Sequence, residues 1–135
     1  MQKGPPMIET DEVVTLQLPA QARYIRVARL VGAGLANDLG IDLEGLDDVR
    51  LAIGEVCALT TQFGADFIDL RFALDDRGLR VFGVGRNDGS GGGDTTVDDE
   101  HMRLVQQILD VACADHELTR DDAGLSFSLT FTHGN

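Results

Sequence analysis

The chain has 135 residues, with 11 Lys+Arg against 23 Asp+Glu and a formal net charge of −12 with neutral histidines. That length suits one domain with a sizeable core, and a hydrophobic fraction of 43% excludes the disordered class. The acidic excess argues against gripping a phosphate backbone, which takes clustered Lys and Arg, so no direct nucleic-acid partner is expected. The most apolar stretch, Ile25 to Ala36, is interrupted by Arg26, Arg29, Gly32 and Gly34 and is far short of the ~20 residues of a membrane span. Met1-Gln-Lys-Gly-Pro-Pro is followed by no apolar run, so no secretory leader is expected and the expected compartment is the cytoplasm. Cys57 and Cys113 are then reduced, and with no CxxC or CxxH neighbour they read as small buried hydrophobes.

Residues 1–11 contain Pro5-Pro6 and read as a loose arm, and residues 12–135 as a single domain. Val13 to Leu18 is β-branched and partly alternating, which predicts a first strand, with Pro19 where a following helix accepts it. Tyr24, Val27, Ala28, Val31 and Leu35 recur at helical spacing, predicting a helix over roughly residues 20–39 capped by Gly40. Arg23, Arg26 and Arg29 fall on the other side as a basic strip. A second helix begins at Asp42, whose carboxylate can accept an orphan backbone N–H. Its apolar face is Leu46, Val49, Ile53, Val56, Cys57 and Phe63, and Gly64 closes it.

The period then changes to two. Ile68, Leu70, Phe72 and Leu74 alternate with a more polar set, Asp75-Asp76-Arg77-Gly78 forms a turn, and residues 79–84 return as the second arm of a hairpin. Residues 85–96 carry five glycines and read as a loop approaching a ligand or able to move. Asp98-Asp99-Glu100 opens a third helix with the charge its macrodipole favours, and Met102, Val105, Ile108, Leu109 and Ala112 form its buried stripe. A short strand is predicted over His116 to Thr119. Leu125, Phe127, Leu129 and Phe131 alternate strictly with Ser and Thr, predicting a last strand. The order β-α-α-β-β-α-β-β predicts an α+β fold in two layers, with three helices on one face of a mixed, mostly antiparallel sheet. His101, His116 and His133 share no ligand spacing with each other or with the cysteines, so no metal centre is read from them.

This order, with Glu55 in mid-helix and a Gly-rich loop after the central hairpin, resembles the GHKL ATPase superfamily. Within it, the chain is most similar to the small bacterial anti-sigma factors and serine-protein kinases of the RsbW and SpoIIAB type. The closest stretch is Leu46-Asp-Asp-Val-Arg-Leu-Ala-Ile-Gly-Glu55-Val-Cys-Ala, and the resemblance runs over roughly residues 13–132. It implies a GHKL (Bergerat) α/β sandwich that binds ATP and Mg. On its own Glu55 reads as a solvated helix residue; the resemblance implies a general base, or an orienting group, for phosphoryl transfer. The family's Glu-x-x-x-Asn motif has Leu59 in the Asn place, and a hydrocarbon supplies no oxygen to a hard Mg ion. Thr60 or Gln62 would substitute only with a changed geometry. The Asp-x-Gly-x-Gly motif is present as Asn87-Asp88-Gly89-Ser90-Gly91, so Asn87, Gly89 and Gly91 are the implied adenine-side residues. An Asn carbonyl accepts the adenine amino proton more weakly than a carboxylate does. At the phosphate lid stand three carboxylates, with only His101 and Arg103 to attract phosphate.

The resemblance implies an anti-sigma regulatory factor that binds a sigma factor, a STAS-domain antagonist, or both, with weak or vestigial serine kinase chemistry and a possible homodimer. The missing metal ligand keeps open a non-catalytic interaction module that has lost nucleotide binding, and the charge keeps open an acidic inhibitor of a basic partner.

Overall fold

The alternating and helical stretches fold into eight elements among the residues that the computed structural model describes, 12–87, 99–121 and 124–132. In chain order these are β1 (Glu12–Pro19), α1 (Ala22–Asp38), α2 (Leu43–Gln62), β2 (Phe67–Asp75), β3 (Gly78–Arg86), α3 (Asp99–Ala112), β4 (Asp115–Asp121) and β5 (Gly124–Thr132). The strands make one sheet in the order β1-β2-β3-β5-β4, antiparallel at every pairing. The predicted two-layer α+β architecture is therefore present, with no parallel pair among the described strands. Both β4 and β3 run longer than their sequence patterns suggested, β3 reaching Arg86. The arm over residues 1–11 and most of the glycine loop lie outside the described residues.

Local chemistry sets the boundaries. Asp42 caps α2 by accepting from the Gly45 N–H at 2.9 Å, satisfying one of the helix's unpaired donors. At the end of α1, Gly40 takes a φ of +87° while its N–H bonds Asn37 O and the Ile41 N–H bonds Ala36 O, a paired closure that favours glycine. Gly64 ends α2 similarly at φ +90°. In the β2–β3 turn one oxygen of Asp75 accepts from the Arg77 and Gly78 N–H groups at 2.8 and 3.2 Å, an Asx-type turn that fixes the hairpin register.

One face of the sheet is hydrocarbon. Register carries Phe72 opposite Val81 and Val81 opposite Leu129, with Leu79 opposite Phe131, and all five are buried. Onto this face sits α2, which packs against β2, β3 and β5 and lies between α1 and α3. Val49, Ala52, Ile53, Val56, Cys57 and Leu59 of α2 are wholly inaccessible to solvent. Each larger aliphatic of this set contributes roughly 1.5–3 kcal/mol by leaving water. The opposite sheet face carries Arg71, Arg80, Phe82, Ser126, Ser128 and Thr130, partly or fully exposed.

Helix α1 departs from its pattern. Of the predicted stripe Ala28 is buried, Tyr24, Val31 and Leu35 are half-buried against the core and Val27 is exposed, whereas the fully covered set is Ile25, Ala28, Gly32, Ala33 and Ala36. The helix is turned by about one residue, ~100°, because small residues bring it closer to α2 than Val or Leu would. A Cβ at Gly32 would run into the side chain of Ile53. Hydropathy weighs large side chains, but contact with a neighbouring helix rewards small ones.

Gly83 has a comparable role in the sheet. It pairs with Phe127, whose ring occupies the space a Cβ at position 83 would need. We expect Gly83→Ala to cost about 1–3 kcal/mol in urea denaturation, while Gly34→Ala, with nothing within 4 Å of its would-be Cβ, raises stability by up to about 1 kcal/mol.

Burial also pushes the Cys57 and Cys113 thiols from 9.0 up to about 12, the Cys57 shift being partly offset by Arg29. The unfolded chain releases these protons first, so folding stability should hold below pH 9 and fall between pH 9 and 12. Urea midpoints measured across that window, compared with a Cys57→Ala variant in which the fall is shallower, check the sign.

Candidate functional site

The residues implied for nucleotide chemistry stand on three elements: Glu55 and Leu59 on α2, Asn87 just after β3, and Arg103 on α3. Glu55 is half-buried between two buried neighbours, Gly54 and Val56. Counted at about 100° per residue, it lies well round the helix from the buried row of Val49, Ile53 and Val56.

One turn further on, Leu59 has no exposure at all. The place where the family motif has an amide is therefore part of the hydrocarbon core, with no oxygen to offer. Thr60 is buried as well, and its hydroxyl donates to Val56 O at 2.7 Å. The next hydroxyl, that of Thr61, donates to Cys57 O at 3.0 Å. Both are spent on the helix's own carbonyls, as Ser and Thr inside helices commonly are. Gln62 is exposed at the last turn. Among the described residues, no group of three or more His, Cys, Asp or Glu could hold a metal ion. The described residues do not fit Mg at the position the resemblance implies.

Two glycines shape the surroundings of α2. A Cβ at Gly85 would lie 2.6 Å from the Thr60 methyl and 3.0 Å from the Ala65 Cβ, so β3 passes close under the end of α2. Asn87 follows two residues on and is exposed. Gly54 is covered by Arg29, whose Nη1 is 2.7 Å from where a Cβ would sit. Arg29 thus leaves the predicted basic strip to lie on α2, while Arg23 and Arg26 stay exposed, Arg23 over the Tyr24 ring at 5.0 Å. Sequence reasoning missed this contact. Its signal was Gly54 itself, since a glycine in mid-helix costs about 1 kcal/mol against alanine unless something occupies the space.

Arg103 is exposed. It lines an open depression of about 580 Å³ with Glu100, His101, Leu104 and Gln107, and neither Glu55 nor Asn87 belongs to that lining. Gly89 and Gly91, with Asp98 of the lid, lie outside the described residues. The structure thus places Arg103 on a rim to which neither Glu55 nor Asn87 contributes.

The chain is similar over 56 residues, at 36% identity, to proteins named serine-protein kinase RsbW from Bacillus thuringiensis, Bacillus mycoides and Bacillus cereus. The similarity covers 42% of this chain and 35% of each relative, so about a third of their length is matched. No protein-family model matches the chain. Among the described residues no helix is long and apolar enough to cross a membrane.

Leu59→Asn, which would restore the motif's residue type, is expected to cost about 2–5 kcal/mol, because an amide without a partner replaces a fully buried side chain. Thermal unfolding of the variant checks this, and a wild-type melting temperature would mean that position 59 is open to solvent.

Proposed function

We propose that the chain is an anti-sigma regulatory factor of the RsbW and SpoIIAB kind, working by partner exchange. It would bind a sigma factor and a STAS-domain antagonist, as a homodimer in the cytoplasm, over a single domain spanning residues 12–135. In this reading its ATP-dependent serine kinase chemistry is weak or vestigial. Support for the family side comes from the 56-residue similarity to serine-protein kinases named RsbW, together with a two-layer α+β architecture of the kind the resemblance implied.

The observation that carries the vestigial part is the complete burial of Leu59. A phosphoryl transfer depends on positioning and on neutralising the charge spread over the transferred group, work that Mg and cationic side chains do. With hydrocarbon at position 59 and the Thr60 hydroxyl already donating to Val56 O, the described residues supply little of it. Glu55 would act as base or orienting group, and Asn87, Gly89, Gly91 and Arg103 would hold what nucleotide is bound. The same observation favours a second reading, an interaction module that has lost the nucleotide altogether.

Calorimetry with Mg-ATP separates the readings. We expect weak heat, with dissociation in the high-micromolar to millimolar range. Micromolar affinity with hydrolysis abolished by Glu55→Ala would overturn the vestigial reading in favour of a working kinase. No heat at millimolar nucleotide would overturn nucleotide binding and leave the interaction module.

A further inference from the structure

The end of the molecule where α2 begins and α3 stops has no part in the nucleotide reading, and its surface is unusual. A cleft of about 250 Å³ opens there between the two helices and the end of β5, lined by Ile41 and Asp48 on one side, Val111, Ala112 and Cys113 on the other, and Phe131 beneath. Ile41, Ala112, Cys113 and Phe131 are core residues, so the floor is apolar. At the rim Val111 is 84% exposed.

Helix α3 carries two apolar rows. Val105, Leu109 and Ala112 face the core. Leu104, Ile108 and Val111, at i, i+4 and i+7, make a second row on another face, with Leu104 55% exposed and Ile108 half-buried. A surface helix that folds as part of one layer needs a single apolar row. The second row leads from the depression beside Arg103 to the cleft.

Carboxylates surround this hydrocarbon. Residues 41–50 hold Asp42, Glu44, Asp47 and Asp48 against Arg50, and residues 110–115 add Asp110 and Asp115 with no Lys or Arg. Some are engaged: Asp47 with Arg50 at 2.8 Å, Asp110 with His116 at 2.6 Å, and Asp42 as the cap of α2. Glu44, Asp48 and Asp115 have no ion-pair partner among the described residues. Asp48, Asp110 and Asp115 all lie close enough to Cys113 to add, after burial, to the upward push on its thiol, which places their negative charge around one cleft.

We propose that this cleft and the outer row of α3 dock a cationic amphipathic helix of a partner protein. One apolar side chain seats on the Ile41–Phe131 floor beside Val111, others lie along Leu104 and Ile108, and Lys or Arg residues meet Asp48 and Asp115. Helix-in-groove recognition of this kind is read from anchors at i, i+3, i+4 and i+7. The sign of the charge selects the occupant. A second copy of this chain, at −12, would set carboxylate against carboxylate, and a nucleic acid is repelled for the same reason. The proposal does not depend on nucleotide binding.

The test uses the full chain without nucleotide and a synthetic helix with leucines at that spacing and lysines elsewhere, with a glutamate-for-lysine version as counterpart. Amide NMR shifts are expected to change at residues 41–48 and 104–115. Val111→Asp, at a site exposed enough to leave folding intact, should weaken binding about tenfold or more although it adds a charge of the attracting sign. Asp48→Asn with Asp115→Asn should weaken it several-fold, and more at low salt than at high salt. Shifts spread over the open sheet face, affinity unchanged in Val111→Asp, or equal binding of the glutamate peptide would each overturn the proposal.

Discussion

The structure depends on the seating of α2 on the sheet. This helix touches the inner faces of β2, β3 and β5, lies between α1 and α3, and buries Val49, Ala52, Ile53, Val56, Cys57 and Leu59 completely. Close approach is made possible by missing side chains more than by large ones. Gly83 leaves room for the Phe127 ring, Gly85 for the Thr60 methyl, and Gly32 for Ile53. Interiors are packed to crystal-like density, so these vacant Cβ positions are part of the fit, and the hydrophobic gain of α2 is collected only because they exist.

The same burial restricts what the helix can do chemically. A helix that lends residues to a nucleotide site must keep one row of polar atoms free of the core. In α2 the hydroxyls of Thr60 and Thr61 are tied to their own backbone, and Leu59 has joined the core. Glu55 keeps a polar group at partial exposure. At Leu59, Thr60 and Thr61 packing and the helix's own hydrogen bonds have taken the side chains.

Electrostatics divide the surface unevenly. The exposed ion pairs, Arg50 with Asp47, Arg80 with Asp75 and Arg86 with Asp69, are of the solvent-screened kind that adds little to stability. Four of the arginines, Arg71, Arg77, Arg80 and Arg86, belong to the β2–β3 hairpin, while the α2 start and α3 end are almost purely acidic. Such a distribution acts on encounter and partner choice more than on the fold.

Much of this was legible in the chain. Strict alternation from Leu125 to Phe131, the Asp75–Gly78 turn, the Asp42 cap and the glycines closing α1 and α2 are local signals, set by side-chain period and backbone preference, and each stands where its pattern put it. The residue types at the positions the resemblance singles out, Glu55, Leu59 and Asn87, were equally legible. What the sequence could not determine was which way α1 faces, that Arg29 lies over Gly54, that the Thr60 hydroxyl is consumed by its own helix, and that two apolar rows of α3 have different fates. Those outcomes are choices between faces of a helix, and a face is selected by the shape of the neighbour it meets. Periodicity says that a helix has an apolar side; only the packed layers decide which side is covered and which is left for something else.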